Sequence, residues 1–230
     1  MTPRQRQILY AIVEAYAKSA EPVSSAVLCA EFDASSATLR AEMAELERRG
    51  YIMQPHISAG RVPTDKGYRA YVNSLEAPRS DVRAERALAR QVQNAGEAER
   101  AIKNAVESLA RVTGNLGLAT IGGNLFMSGM AALFQHPEFF GGQKAYEVAR
   151  LLDSLEDWLA EAAPNDPISV YIGGENPIGR ASGAALIISR FESSYADRSF
   201  IGVLGPTRQQ YGSVIGLVEY TGRLLQEELN

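Results

Sequence analysis

The residues best placed to do chemistry lie in two short stretches, 35–51 and 54–69. In the first, Ser36, Ala37, Thr38, Arg40, Ala41 and Arg48 occur within a helical pattern, SSATLRAEMAELERRGY. Leu39, Met43 and Leu46 make its buried stripe by the i, i+4, i+7 rule, which sets Ala37, Ala41, Ala44 and Arg48 opposite and Arg40 on the flank. A helix that enters a DNA major groove needs such a thin exposed face, with polar groups near its N-terminus to reach base edges. Ala37 and Ala41 leave room for thymine methyls, Arg40 can reach guanine or phosphate, and Ser36 and Thr38 can bond to either. In the second stretch, QPHISAGRVPTDKGYR, the residues His56, Ser58, Arg61, Thr64, Lys66 and Arg69 surround Gly60, which is expected to permit a tight turn. Such a loop can grip a phosphate backbone or enter a minor groove. Both stretches also fit a solvated surface used only for protein contacts.

Enzyme chemistry finds little support. With two His and one Cys in 230 residues there is little for nucleophilic or metal catalysis to use. His136 in FQHPEF reads as a surface or capping residue. The glycines of GNLGLATIGGN lack dinucleotide-site spacing and read as turns, and no GK[ST] phosphate loop occurs. GGENPIGRASG could line a small-molecule pocket, but a loop between strands is the simpler reading. No catalytic residue, cofactor or metal is expected.

The elements that position the two stretches follow from periodicity. A first helix is expected from Pro3 to Lys18, capped by Thr2, with Ile8, Leu9, Ile12, Val13 and Tyr16 on one face. A short helix after Ser24 or Ser25 should offer Val27, Leu28 and Phe32 to the same core. The third helix starts at Ser35 or Ser36 and ends at Gly50. Residues 51–55 and 61–63 read as a hairpin, and Thr64 starts another helix that sends Tyr68, Tyr71 and Val72 inward. Three helices followed by a hairpin predict a winged helix-turn-helix over 1–76, with the boundary at Ala77–Ser80.

From there the fold is expected to be α+β: a long helix over Val82–Val112, then a small mixed sheet with helices. Leu88, Val92, Ala95, Ile102, Val106 and Leu109 would form a seam along the long helix, free to hold a second subunit. Strands are expected at Leu116–Ile121, Ile168–Ile172, Ala184–Arg190 and Phe200–Leu204, and helices at Gln143–Glu161 and Tyr211–Leu229.

A formal charge of −4 argues against nucleic acid only for the chain as a whole: residues 1–74 hold nine Lys or Arg against eight Asp or Glu, and the remainder fourteen against nineteen. Glu14, Glu21, Glu31 and Asp33 come early in that part, whereas Arg40, Arg48, Arg49, Arg61, Lys66 and Arg69 come late. Phosphate binding depends on such local neutralisation and not on whole-chain charge. No apolar run approaches the roughly 20 residues a membrane span requires. With the single Cys29, this suits a cytoplasmic protein.

The runs RQRQILYAIVEAYAKSAEPVSSAVL and SSATLRAEMAELERRGYIMQPHISAGRVPTDKGYRAYV, with YIGGENP, LFMSGMAALFQHPEF and SFIGVLGPTRQQYGSVIGLVEYTGRLL, resemble the heat-inducible transcription repressor family, HrcA. That resemblance implies a heat-shock repressor that dimerises, binds an inverted-repeat operator ahead of chaperone genes and depends on the chaperonin GroEL. It also implies that 77–230 is a reduced GAF-like regulatory and dimerisation domain. Family members are longer, and the missing material falls between LGLAT and IGGNLFMSG, where the family holds part of a GAF-like sheet and an inserted dimerising domain. Position 41 is Ala where the family pattern has Asn. A ligand-sensing winged-helix regulator, and a winged helix used only for protein interaction, are the competing readings.

Overall fold

A computed structural model describes residues 1–76, 78, 80–161 and 166–230, together with the backbone but not the side chain of Asp197. Ala77 and Arg79, on which the expected domain boundary falls, lie outside the described residues. The described chain forms two compact units: Met1–Glu76 with Arg208–Gln210, and the rest.

The first unit begins with α1 (Pro3–Ser19). Thr2 and Gln5 cap it reciprocally, and Ala20 in the left-handed region ends it. Helix α2 (Ser25–Leu28) is capped by Ser24, and α3 (Ser36–Arg48) by Ser35, whose Oγ accepts from Thr38 N at 3.1 Å. Such a cap is worth about 1 kcal/mol. Leu39, Met43 and Leu46 are buried on α3 beside Ile8, Leu9, Ile12 and Val13 of α1, each removing enough apolar surface from water to contribute about 1.5–3 kcal/mol. Val27, expected in this core, is 51% exposed; a single turn of helix can turn only one side inward, and Leu28 takes that place. Strands β1 (Ile52–Met53) and β2 (Val62–Pro63) pair antiparallel. Helix α4 (Asp65–Val72) follows, capped by Thr64 and burying Tyr68.

The second unit opens with two helices where one long helix was expected: α5 (Val82–Gln93) and α6 (Ala98–Thr113). Gly96, at φ +74°, interrupts the helix between them, and Asn104 Nδ2 donates back to Gln91 O at 2.7 Å. The expected seam is therefore not a surface. Leu88, Val92, Ala95, Ile102, Val106 and Leu109 are all buried, because α5 and α6 pack on each other and on α10 (Tyr211–Glu228).

Five strands form one sheet. They are β3 (Leu116–Ile121), β4 (Asn124–Ser128), β5 (Ile168–Ile172), β6 (Ala184–Ser193) and β7 (Ala196–Pro206), in the order β4-β3-β7-β6-β5. Every pairing is antiparallel, which corrects the expected mixed sheet. Helices α6 and α10 lie against it, so closely that a Cβ on Gly117 would stand 2.4 Å from Val106 O and one on Gly222 2.5 Å from Ser189 Oγ. Leu118, Leu186, Ile188, Phe200 and Leu204 pack in a core with residues of α7 (Met130–Gln135), α8 (Gly142–Asp153) and α9 (Leu155–Glu161). Burial on both faces is why AALIIS in β6 reads as a continuous apolar run and not an alternating one. The single helix expected at Gln143–Glu161 is interrupted at Ser154.

Strand β4 is an edge strand that periodicity did not indicate. It joins β3 through Gly122 and Gly123, at φ +54° and +84°, with Ile121 opposite Asn124. Two residues at positive φ are what a type I′ hairpin requires. At the place where the sequence suggested missing material, the chain makes a two-residue turn. No described helix is long and apolar enough to cross a membrane.

Candidate nucleic-acid interface

The exposed face of α3 carries Ala37, Arg40, Ala41, Ala44 and Arg48, with Thr38 near its start. These residues are small or polar because the opposite stripe alone carries the packing. Ser36 is half-buried and shares a 2.8 Å hydrogen bond with Ser25 Oγ, which ties α3 to α2. Thr38 Oγ1 lies 2.9 Å from Ser35 Oγ. Arg40 is exposed and donates through Nε to Ser36 O at 3.3 Å.

Arg48 is differently disposed. Its Nε and Nη2 each reach a Glu45 oxygen at 2.7 Å, and Arg49 Nε reaches the same carboxylate at 2.6 Å. The hydrogen bond from Arg48, then that from Arg49, pulls the Glu45 carboxyl from its ordinary 4.5 down to about 2. Much of the positive charge at the C-terminal end of α3 is thus compensated within the helix.

The loop between β1 and β2 is braced from below. Glu47 Oε1 accepts from Gln54 N at 3.1 Å, and Oε2 accepts from Arg61 Nε at 3.0 Å. Gln54 Nε2 donates to Ala59 O at 3.0 Å. Ala59 N donates to His56 O at 3.0 Å, closing a turn over Ile57 and Ser58. Ser58 has φ +72°, while Ile57 does not, the sign pattern of a type II turn.

The expectation for Gly60 needs correction. Its φ is not positive. A Cβ there would lie 2.5 Å from the carbonyl carbon and oxygen of Val23. Val23 and Arg61 exchange backbone hydrogen bonds at 2.9 and 2.8 Å, so Gly60 is required by the close approach of two backbones. Ser58 makes the turn.

Arg61 is only 21% exposed at its side chain and is committed to Glu47. Lys66 lies 4.5 Å from the Tyr51 ring centroid and donates to Arg49 O at 2.8 Å, which places its charge at the C-terminal carbonyls of α3. Arg69 is half-buried on α4, whereas His56 and Ser58 are exposed on the loop.

Between α2, α3 and this loop runs a cleft of about 430 Å³, lined by Ser24, Ser25, Arg40, Met43, Gln54, Ser58, Ala59, Gly60 and Arg61. It brings Arg40, Ser58 and Arg61 together from the two stretches and adds Ser25 and Gln54, which the sequence did not single out. Their signal was weak: polar residues beside a cap and a short strand are common anywhere. Among the described residues no cluster of three or more His, Cys, Asp or Glu is placed to hold a metal. In the second unit a cleft of about 610 Å³ is lined by residues of the α5–α6 turn, Ser194, Tyr195 and the last residues of the chain, and not by GGENPIGRASG. That loop packs through Gly179 against Leu151.

A two-unit α+β chain with a small-faced helix beside a braced loop is the class these features define. The model of the HrcA protein C-terminal domain matches residues 68–215, and the chain belongs to the HrcA family. The heat-inducible transcription repressor HrcA of Cyanothece sp. is 25% identical over an alignment of 356 positions, covering 100% of this chain and 98% of that protein. An alignment of that length containing all 230 residues leaves at least 126 positions without a residue of this chain. The repressor of the same name from Prosthecochloris aestuarii is 55% identical over 77 residues, covering 33% of this chain and 22% of that protein. A crystal structure described as a hypothetical protein at 2.2 Å resolution has the same fold, with a TM-score of 0.83 at 20% identity, covering 100% of this chain and 98% of that one.

Proposed function

We propose that this chain is a transcriptional repressor whose first unit is a winged helix-turn-helix, with α3 as recognition helix and the β1–β2 loop as wing. Membership of a family whose relatives carry the name heat-inducible transcription repressor supports regulation of transcription. The observation that carries the DNA-binding reading is that one cleft joins Arg40 on the thin face of α3 to Ser58 on the loop. Ala37 and Ala41 let the helix approach base edges, Arg40 supplies the direct contact, and Thr38 and His56 reach phosphate. Arg61 and Lys66 hold the wing and the end of α3 in place. The region 77–230, which holds the second unit, serves as a reduced GAF-like regulatory domain. An inverted-repeat operator is matched by a two-fold pair of subunits, so two copies bind together, and control by the chaperonin GroEL acts on that form.

A gel-shift titration tests this. Wild-type protein is set against duplexes enriched from a random pool and against a scrambled duplex, over a range of salt. Arg40→Ala should lower affinity for the enriched duplex by about 1–3 kcal/mol and change the scrambled duplex little. Sedimentation with and without duplex should show two protein chains per inverted repeat. Binding that neither prefers a sequence nor weakens with salt would leave the first unit as a protein-interaction module.

A further inference from the structure

The wing ends in a side chain that its own fold does not use. Ile57 is 93% exposed, more than any other large hydrophobic residue in the structure's described part. A lone exposed aliphatic residue is common on protein surfaces. Ile57 differs in how it is held. It occupies the first corner of the His56–Ala59 turn, whose second corner, Ser58, takes a left-handed conformation that a non-glycine residue adopts at a cost. Beneath the turn, Gln54 holds Ala59, and Glu47 holds both Gln54 and Arg61. The apex is thus a rigid mount for a β-branched group with few rotamers to lose, so little ordering is left to do when it meets a partner.

Resting on the reading of the first unit as a DNA-binding domain, we infer that Ile57 is an apolar wedge that enters the minor groove beside the half-site and opens a base step. The position favours nucleic acid over other partners. Ser58, its immediate neighbour, lines the same cleft as Arg40, so the face that presents Ile57 is continuous with the proposed groove-reading face, and His56 on its other side can contact the phosphate. Aliphatic side chains inserted from the minor groove unstack base steps and kink the duplex. Pyrimidine–purine steps open with least cost, so the wedge would create a sequence preference at a step that no hydrogen bond reads.

The test uses the full chain and duplexes enriched from a random pool by the wild-type protein, with 2-aminopurine placed at candidate steps flanking each half-site. The wedge predicts a rise in 2-aminopurine fluorescence at one step on binding. Ile57→Ser should abolish that rise, bind about tenfold more weakly and lose the pyrimidine–purine preference. Ile57→Leu should keep all three, and both variants should melt with the wild type because the side chain makes no core contact. If Ile57→Ser matches the wild type in affinity and fluorescence, the wedge is overturned while the DNA-binding reading stands. If the wild type enriches no duplex at all, both fall.

Discussion

Arg61 and Glu47 are joined by a hydrogen bond, Nε to Oε2 at 3.0 Å, and an ion-pair contact from Nη2 to the same oxygen at 2.9 Å. They connect the residue before β2 to the last turn of α3, so the orientation of the β1–β2 loop depends on a residue of α3 that does not itself line the cleft. Removing the guanidinium should loosen the β1–β2 loop rather than delete a phosphate contact. Arg61→Ala should lower the melting temperature and weaken binding to every duplex, with the salt slope unchanged. A double-mutant cycle with Glu47→Gln should return a coupling of about 0.5–1 kcal/mol, modest because both groups are partly solvated. A slope shallower by about one unit would restore Arg61 to the phosphate backbone.

Gly60 is fixed by the backbone of Val23, not by a turn. Gly60→Ala should cost about 1–3 kcal/mol in a denaturant titration, since the new methyl group displaces the Val23–Arg61 bridge. Ser58→Gly is the opposite case: it relieves a left-handed non-glycine residue and should leave stability equal or higher. If Gly60→Ala were neutral, the bridge would not be holding the β1–β2 loop.

Glu45 restrains two arginines. Glu45→Gln should release Arg48 and Arg49, raising affinity for scrambled duplex and steepening the salt dependence by up to about two units. The same pairing sets a pH response. A carboxyl whose folded pKa is depressed stabilises the fold above its ordinary value of 4.5 and loses that contribution as the pH falls to about 2. The wild type minus Glu45→Gln difference in melting temperature should therefore shrink across that acid window, and stay constant above it.

Ile102 lies in the core of the second unit, between α6 and its neighbours. Ile102→Asp should unfold that unit at lower denaturant by about 3–5 kcal/mol, because it replaces a buried aliphatic group with a carboxylate lacking partners. A stable variant altered only in its oligomeric state, measured by sedimentation, would return the seam to the surface.

What the sequence determined by itself was local. Thr2, Ser24, Ser35 and Thr64 cap the helices that their hydroxyls and neighbouring periodicity indicate, because a cap bonds within three residues of itself. The two faces of α3 were legible for the same reason: Leu39, Met43 and Leu46 fall inward and Ala37 and Ala41 outward from the helical repeat alone. Strands buried on both faces were also legible as apolar runs. Tertiary structure decided whatever depended on a partner distant in the chain. Arg61 and Arg40 are alike in sequence, yet only Arg61 meets a carboxylate, fourteen residues away. Gly60 reads as a turn until Val23, 37 residues earlier, is placed against it. The apolar stripe of 82–112 suits a subunit seam or a folded pair of helices equally well. Gly96 permits the fold-back, and the covering by α10, more than a hundred residues later, makes that stripe a core. Periodicity specifies that a face is buried; only the assembled chain specifies against what.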